Sequence, residues 1–109
     1  MNADVSPRLR PRALLVENIH PGAVALLESQ GWSVSTLDRA VGEGELVDLL
    51  ADVDLLGIRS QTQVTETVLD KATSLVALGA FCIGVNQIDL AAAARRGVAV
   101  FNAPFSNTR

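Results

Sequence analysis

The chain has 109 residues, of which 49% are hydrophobic and 19% charged, and its formal net charge is −3 at pH 7. This length supports one domain with one core, and the negative charge argues against a nucleic-acid or membrane partner. No apolar run approaches the roughly 20 residues that span a bilayer. A single cysteine excludes an internal disulfide and is typical of a reducing compartment, so we expect a cytoplasmic location.

The first half of the chain alternates between segments of strand length and helical patterns. Residues 1–11 are predicted to be a frayed or disordered N-terminus, and Arg12–Glu17 is predicted to be a short apolar strand. Pro21 suits a first helical position and Gly31 suits the residue just past a helix end, so they bound the first helix. The next strand and helix are predicted over Trp32–Leu37 and Gly42–Ala51.

The second half repeats this alternation. Asp54–Ile58 is continuously apolar, which is typical of a strand buried on both faces. Thr65 is a suitable N-cap for a third helix, and Asp89 for a fourth helix over Leu90–Arg96. The remaining two strands are predicted over Leu75–Gly79 and Val98–Phe101.

Five strands alternating with four helices predict an α/β fold. The expected architecture is a flavodoxin-like three-layer sandwich, with a parallel five-stranded sheet of order 2-1-3-4-5 and helices on both faces. Ligands of such sheets bind at the loops that leave the carboxyl ends of the strands. The segments in that position are Glu17–Asn18, Arg59–Ser60, Ala80–Gln87 and Asn102–Arg109.

Two of these loops carry groups that suit an anion. Arg59 offers a planar fork of donors that matches phosphate or carboxylate, and Ser60 adds a hydroxyl; the alternative is a surface arginine paired with an acidic neighbour. Gly79 and Gly84 bracket the next loop, whose backbone N–H groups could converge on an anion; the alternative is a turn that only needs glycine. Because the loops leave neighbouring strands, we expect them to share one rim.

Other features do not predict a site. His20 is expected to be a solvated or capping residue, Cys82 a small buried apolar group, and Asn102–Arg109 a hinge, a site wall or a polar tail. The chain has no complete G-x-G-x-x-G and no phosphate-loop motif. We therefore expect neither a nucleotide cofactor site nor a nucleophile with its base within these residues.

Three stretches, together with Leu14–Glu17 and His20, resemble the D-isomer-specific 2-hydroxyacid dehydrogenases over residues 12–109. These stretches are Gly57–Thr62, Gly79–Leu90 and Val98–Arg109. The resemblance implies an NAD-dependent oxidoreductase whose substrate-binding domain is split in sequence around an inserted NAD-binding domain. It implies that residues 12–109 are the first segment of the substrate-binding domain, and that the NAD-binding domain is absent from this chain.

The branch of the family whose motifs this sequence resembles most acts on a phosphorylated 2-hydroxy acid in serine biosynthesis. The substrate-binding residues that the resemblance implies are Arg59, Ser60, Ile83, Gly84, Val85 and Asn107. The first two hold the phosphate, the backbone at 83–85 holds the carboxylate end, and Asn107 faces the cleft near the cofactor. The family's catalytic groups lie beyond Arg109, so we expect the 109-residue chain alone to be inactive and the intact protein to be a homo-oligomer.

Two departures from the family pattern keep other readings open. Gln61 stands where this branch often has a second arginine, and Ala80 stands where other branches have a substrate-contacting arginine. The alternatives are another D-2-hydroxyacid dehydrogenase or a stand-alone flavodoxin-like binding module. A receiver domain needs an aspartate after its third strand and a lysine after its fifth, where this chain has Arg59 and Asn102.

Overall fold

The computed structural model describes residues 10–102, which form alternating strands and helices. Apart from Arg10 and Pro11, the predicted frayed N-terminus lies outside the described residues, and so does Asn107. The elements are β1 (Arg12–Leu15), α1 (Pro21–Ser29), β2 (Ser33–Thr36), α2 (Glu43–Leu49), β3 (Leu55–Ile58), α3 (Glu66–Lys71), β4 (Ala77–Ala80), α4 (Leu90–Arg95) and β5 (Ala99–Asn102).

The five strands form one sheet in the order β2-β1-β3-β4-β5, with every neighbouring pair parallel. This is the predicted flavodoxin-like order. Strand β3 lies at the centre and is buried along its whole length, as its continuous apolar character predicted. The carboxyl ends of β3 and β4 therefore lie side by side, and the loops that follow them begin at the same edge.

Helices cover both faces of the sheet, which confirms the three-layer architecture. Helices α2, α3 and α4 pack on one face over the larger core, whose fully buried members include Leu46, Leu50, Leu56, Ile58, Val68 and Leu78. Helix α1 packs on the other face, where Ala23 joins Leu15, Ile19 and Phe81. None of the four described helices has the length and apolar character needed to span a bilayer.

The helix ends follow local rules that the sequence displays. Gly31 and Gly97 have φ values of 95° and 73°, the left-handed conformation that terminates helices after α1 and α4. Each predicted cap accepts a backbone N–H from the first turn of its helix. The pairs are His20 Nδ1 with Gly22 (2.8 Å), Thr65 Oγ1 with Val68 (3.3 Å) and Asp89 Oδ1 with Ala92 (3.0 Å).

Replacing Asp89 with alanine is expected to lower the free energy of unfolding by about 1 kcal/mol, because the N–H of Ala92 loses its acceptor. Urea unfolding of the two proteins measures the difference. Asp48→Ala is the matched control, since Asp48 is exposed near the end of α2 and caps no helix start. An equal loss of stability in both variants would contradict the capping role of Asp89.

The predicted strand ends are the least accurate part of the fold. The first strand was expected to run to Glu17, which is wrong: β1 ends at Leu15, and the chain then turns through Glu17 and Asn18 with φ values of 68° and 55°. Left-handed backbone is unfavourable for residues with a Cβ, so a tertiary interaction must hold this turn. The N–H groups of Glu17 and Asn18 donate to the carbonyl oxygens of Arg39 (3.0 Å) and Leu37 (3.1 Å), and the side chain of Glu17 adds contacts at the candidate site.

Candidate functional site

A cleft of about 610 Å³ opens at the carboxyl ends of β3 and β4. It is lined by Arg59, Ser60, Gln63, Cys82, Ile83, Gly84, Asn86 and Gln87. Four of the predicted site residues therefore meet in one space, two from each loop. Val85 lies next to the lining but is partly buried against the core, and Asn107 is outside the described residues. The expectation that the two loops share one rim is confirmed.

Arg59 reaches this cleft with its charge unpaired by any described residue. The ion pairs found within residues 10–102 are Arg12–Asp52, Arg39–Glu45, Arg95–Glu66 and Arg96–Asp70. The alternative that Arg59 pairs with an acidic neighbour is thus not realised in the described part of the chain. A guanidinium that lines a cleft without a protein partner is available to a phosphate or carboxylate.

The loop after β4 presents backbone donors to the same space. The N–H groups of Ile83 and Gly84 donate to no other described residue, and the Ile83 side chain is 89% exposed. Consecutive backbone N–H groups without partners form a site that favours an anion. The two loops therefore bring a cation, a hydroxyl and backbone donors to one cleft, which suits a small ligand with negative charge.

Glu17 fixes the turn that presents Arg59. Glu17 is 9% exposed, and its carboxylate accepts three backbone N–H groups from the loop that follows the neighbouring strand β3. Oε2 accepts from Arg59 at 2.9 Å and from Thr62 at 2.9 Å, while Oε1 accepts from Gln61 at 3.0 Å. Both carboxylate oxygens are occupied, so the turn is held at three points by one buried side chain.

Burial and hydrogen bonding act in opposite directions on Glu17. Burial raises the pKa of the carboxyl, and the backbone N–H groups of Gln61, Arg59 and Thr62 lower it; the net pKa lies below the ordinary value for glutamate. The carboxylate is therefore ionised at neutral pH. Neither the acceptor role of Glu17 nor its burial is visible in the sequence, where it is only a polar residue after an apolar run.

Because the pKa of Glu17 is lowered in the folded state, the free energy of unfolding should depend on pH in the acid range. The stabilisation from ionised Glu17 is complete above the ordinary pKa of glutamate, which applies to the unfolded chain, and is lost as pH falls through the lower folded-state pKa. We expect the free energy of unfolding of the parent to fall more between pH 7 and about pH 3 than that of Glu17→Gln. Urea unfolding at both pH values tests this, with Glu28→Gln on the exposed side of α1 as control. Parallel pH curves for parent and Glu17→Gln would contradict it.

Gln87 joins the two loops from inside the cleft. Its side chain is 8% exposed, and Nε2 donates to the Arg59 carbonyl oxygen at 2.6 Å and to Cys82 Sγ at 3.2 Å. Next to it, Val64 and Ile88 form a short parallel bridge between the loops. Cys82 was predicted to be a buried apolar group, which is wrong: it is half-buried and hydrogen-bonded, because Gln87 reaches back to it.

The described residues do not fit a metal or a dinucleotide. No group of three or more His, Cys, Asp or Glu side chains within residues 10–102 is placed to hold a metal ion. The loops after the strands lack a glycine-rich turn, and Gly42 before α2 is followed by Glu43 and Glu45, whose charge would repel a pyrophosphate.

Comparison with known proteins shows the family of this chain. The sequence profile of the D-isomer specific 2-hydroxyacid dehydrogenases, catalytic domain, matches residues 13–109. The chain belongs to this family. The membership confirms the resemblance noted in the sequence and decides against the receiver-domain alternative.

Two similar members of the family have the same enzyme name. The D-3-phosphoglycerate dehydrogenase of Dictyostelium discoideum is 45% identical over 103 residues, which cover 94% of this chain and 25% of that protein. The D-3-phosphoglycerate dehydrogenase of Escherichia coli K12 is 47% identical over 97 residues, covering 88% and 24% respectively. The chain thus spans about a quarter of the length of the curated relatives it matches.

Solved structures of the 2-hydroxyacid dehydrogenases share the fold. The NAD⁺-bound 3-phosphoglycerate dehydrogenase of Entamoeba histolytica superposes with a TM-score of 0.75 at 18% identity, over 87% of this chain and 33% of that one. At this identity the likeness concerns the fold alone. It agrees with the five-stranded parallel sheet flanked by helices that the described residues form.

Proposed function

We propose that the chain is the first segment of the substrate-binding domain of an NAD-dependent D-3-phosphoglycerate dehydrogenase, which oxidises 3-phospho-D-glycerate to 3-phosphohydroxypyruvate at the entry to serine synthesis. The observation that carries this proposal is one cleft lined by Arg59, Ser60, Ile83 and Gly84, in which the Arg59 guanidinium and the N–H groups of Ile83 and Gly84 have no partner among residues 10–102. Relatives named for this activity at 45% and 47% identity support the choice of substrate.

The role of this segment is to position the substrate. Arg59 and Ser60 bind the phosphate, and the backbone at 83–85 binds the carboxylate end, so the substrate is held at both ends. By the resemblance, Asn107 is a further residue of the substrate-binding set. Holding the reacting carbon in a fixed orientation lowers the entropic part of the barrier. NAD would supply the hydride acceptor, and the resemblance places both the domain that would hold it and the catalytic base outside these residues.

One face of the sheet supports the split-domain arrangement. Among the described helices only α1 lies on the face that carries Phe81, and Phe101 near its β5 edge is 44% exposed. We assign the exposed Phe101 to packing against the later segment of the same substrate-binding domain, as the resemblance implies. The remaining expectations are an NAD-binding domain in the same polypeptide, a homo-oligomeric enzyme and a cytoplasmic location.

The test is an assay of the full-length protein for NADH formation. We expect kcat/KM for 3-phospho-D-glycerate to exceed that for D-glycerate and D-lactate by about 100-fold or more, because the phosphate adds a charge-assisted contact with Arg59. Preference for an unphosphorylated acid would favour the alternative of another D-2-hydroxyacid dehydrogenase, which the uncharged Gln61 beside Arg59 also suits. NADH formation by the purified 109-residue chain would contradict its role as a positioning segment.

A further inference from the structure

Glu17 binds the backbone of the substrate-binding turn without lining the 610 Å³ cleft. It lines instead a separate pocket of about 250 Å³, which Arg59 and Ser60 also line. Its carboxylate is saturated by the backbone of the turn itself. Direct contact between Glu17 and a ligand in the cleft is therefore not its function.

The contacts of Glu17 concentrate on the residues that present the cation. Three of the four backbone N–H groups from Arg59 to Thr62 point to one carboxylate, and the intervening one belongs to Ser60. The φ values of 68° at Glu17 and 55° at Asn18 bring the side chain across from β1 against an unfavourable backbone. A strained turn that aims one buried charge at one loop indicates a function for that loop's position.

We propose that Glu17 is a positioning residue: its carboxylate sets the Arg59–Thr62 turn and thereby sets the affinity of Arg59 and Ser60 for the anionic end of the substrate. This inference rests on the proposed function, because it concerns the same phosphate contacts. The inference goes beyond the proposed function because it states that Glu17, which the substrate does not touch, controls the affinity for the phosphate.

No charged side chain near Glu17 within the described residues forms an ion pair with it, so the backbone of the Arg59–Thr62 turn is its principal partner. The other charged residues that line its pocket are Asp38 and Arg39 from the segment after β2, and Arg59 itself. Arg39 is engaged by Glu45 through two hydrogen bonds of 2.9 and 2.6 Å. Glu17 is therefore neutralised by backbone N–H groups rather than by an ion pair within the described residues.

Glu17→Gln in the full-length enzyme tests the inference. The glutamine keeps the size of the side chain but replaces one oxygen with an NH₂ group, which faces N–H donors and cannot accept from them. We expect KM for 3-phospho-D-glycerate to rise about tenfold, with kcat and the KM for D-glycerate nearly unchanged, as for the loss of about one hydrogen bond to a charged group. An unchanged KM for the phosphorylated substrate would overturn the inference.

Asp54→Asn is the matched control. Asp54 Oδ2 also accepts a backbone N–H, that of Arg12 at 2.8 Å, but at the opposite end of the sheet. The Asp54→Asn substitution removes a carboxylate acceptor without changing the Arg59–Thr62 turn. The KM values for 3-phospho-D-glycerate and for D-glycerate should therefore both stay at the parent level. An equal rise of KM in Asp54→Asn would mean that general loss of stability, not positioning, explains the effect of Glu17→Gln.

A measurement on the parent alone keeps the inference testable even if the variant folds poorly. The amide NMR signals of Arg59, Gln61 and Thr62 should shift together on acidification with one midpoint below the ordinary glutamate pKa. Separate midpoints, or no shift, would overturn the role of Glu17 in holding the turn. A parent enzyme without preference for the phosphorylated substrate would overturn the proposed function and the affinity claim, while the amide titration would still decide whether Glu17 holds the turn.

Discussion

Replacing Arg59 with alanine in the full-length enzyme is expected to raise KM for 3-phospho-D-glycerate about 100-fold, with little change in kcat. A bidentate contact between guanidinium and phosphate combines two charge-assisted hydrogen bonds, and a hydrogen bond to a charged group contributes about 1.5–3 kcal/mol. The loss falls on KM because Arg59 holds a part of the substrate that does not react, so ground state and transition state lose the same contact. Steady-state NADH formation measures both constants.

The substrate without phosphate provides the internal comparison. D-glycerate has no group for Arg59 to hold at that end, so its KM should change less than about threefold in Arg59→Ala. Arg95→Ala is the control for loss of a surface charge, because Arg95 is exposed on α4 and pairs with Glu66 at 3.1 Å, away from the cleft. Equal losses on both substrates would remove Arg59 from the phosphate role.

Arg59→Lys separates charge from geometry at the same position. Lysine keeps one positive charge but lacks the planar fork that binds two oxygens at once. We expect its KM for 3-phospho-D-glycerate to lie between those of the parent and of Arg59→Ala. A lysine variant equal to the parent would show that a point charge suffices in this cleft.

The fold could be predicted from the sequence because its signals are local. The alternation of apolar runs with helical patterns determined the α/β class, and parallel connections limited the strand order. Caps such as Thr65 and Asp89 act within three residues of their own position, so the sequence displays them directly. The glycines after α1 and α4 mark helix ends for the same reason.

The supports of the site could not be predicted, because they join residues that are distant in the chain. Glu17 lies 42 to 45 positions before the N–H groups it binds, and Gln87 lies 28 positions after the carbonyl of Arg59. The hydrophobic periodicity of the sequence carries no information about hydrogen bonds between such distant residues, and a glutamate after a strand is normally solvated. Cys82 was misjudged in the same way, since its surroundings are set by Gln87. The residues that line the cleft were easier to predict, because they follow directly after strand ends.

A second large effect is expected in the core beneath the site: Gly57→Ala should lower the free energy of unfolding by about 2 kcal/mol. A methyl group at Gly57 would lie 2.5 Å from Leu15 Cδ2 and 3.0 Å from Phe81 Cε1. Leu15 and Phe81 are 1% and 6% exposed, so neither has room to withdraw. Alanine would also lower the entropy of the unfolded chain, which offsets about 0.4–1 kcal/mol of a larger steric cost. Urea unfolding of the parent and the variant gives the difference.

Gly79→Ala is the matched control, because Gly79 pairs with Gly57 across β3 and β4 on the same face of the sheet. Its methyl group would lie 2.8 Å from two ring atoms of Phe101, a residue that is 44% exposed and whose ring can swing outward. It would also lie 3.2 Å from Phe81 Cε1, which is a milder overlap than the 2.5 Å contact with Leu15 at Gly57. The gain from the unfolded chain is the same and the steric cost is smaller, so the change in stability should stay within about 1 kcal/mol. Equal destabilisation by both substitutions would mean that the Phe101 ring is held as firmly as Leu15, in conflict with its exposure.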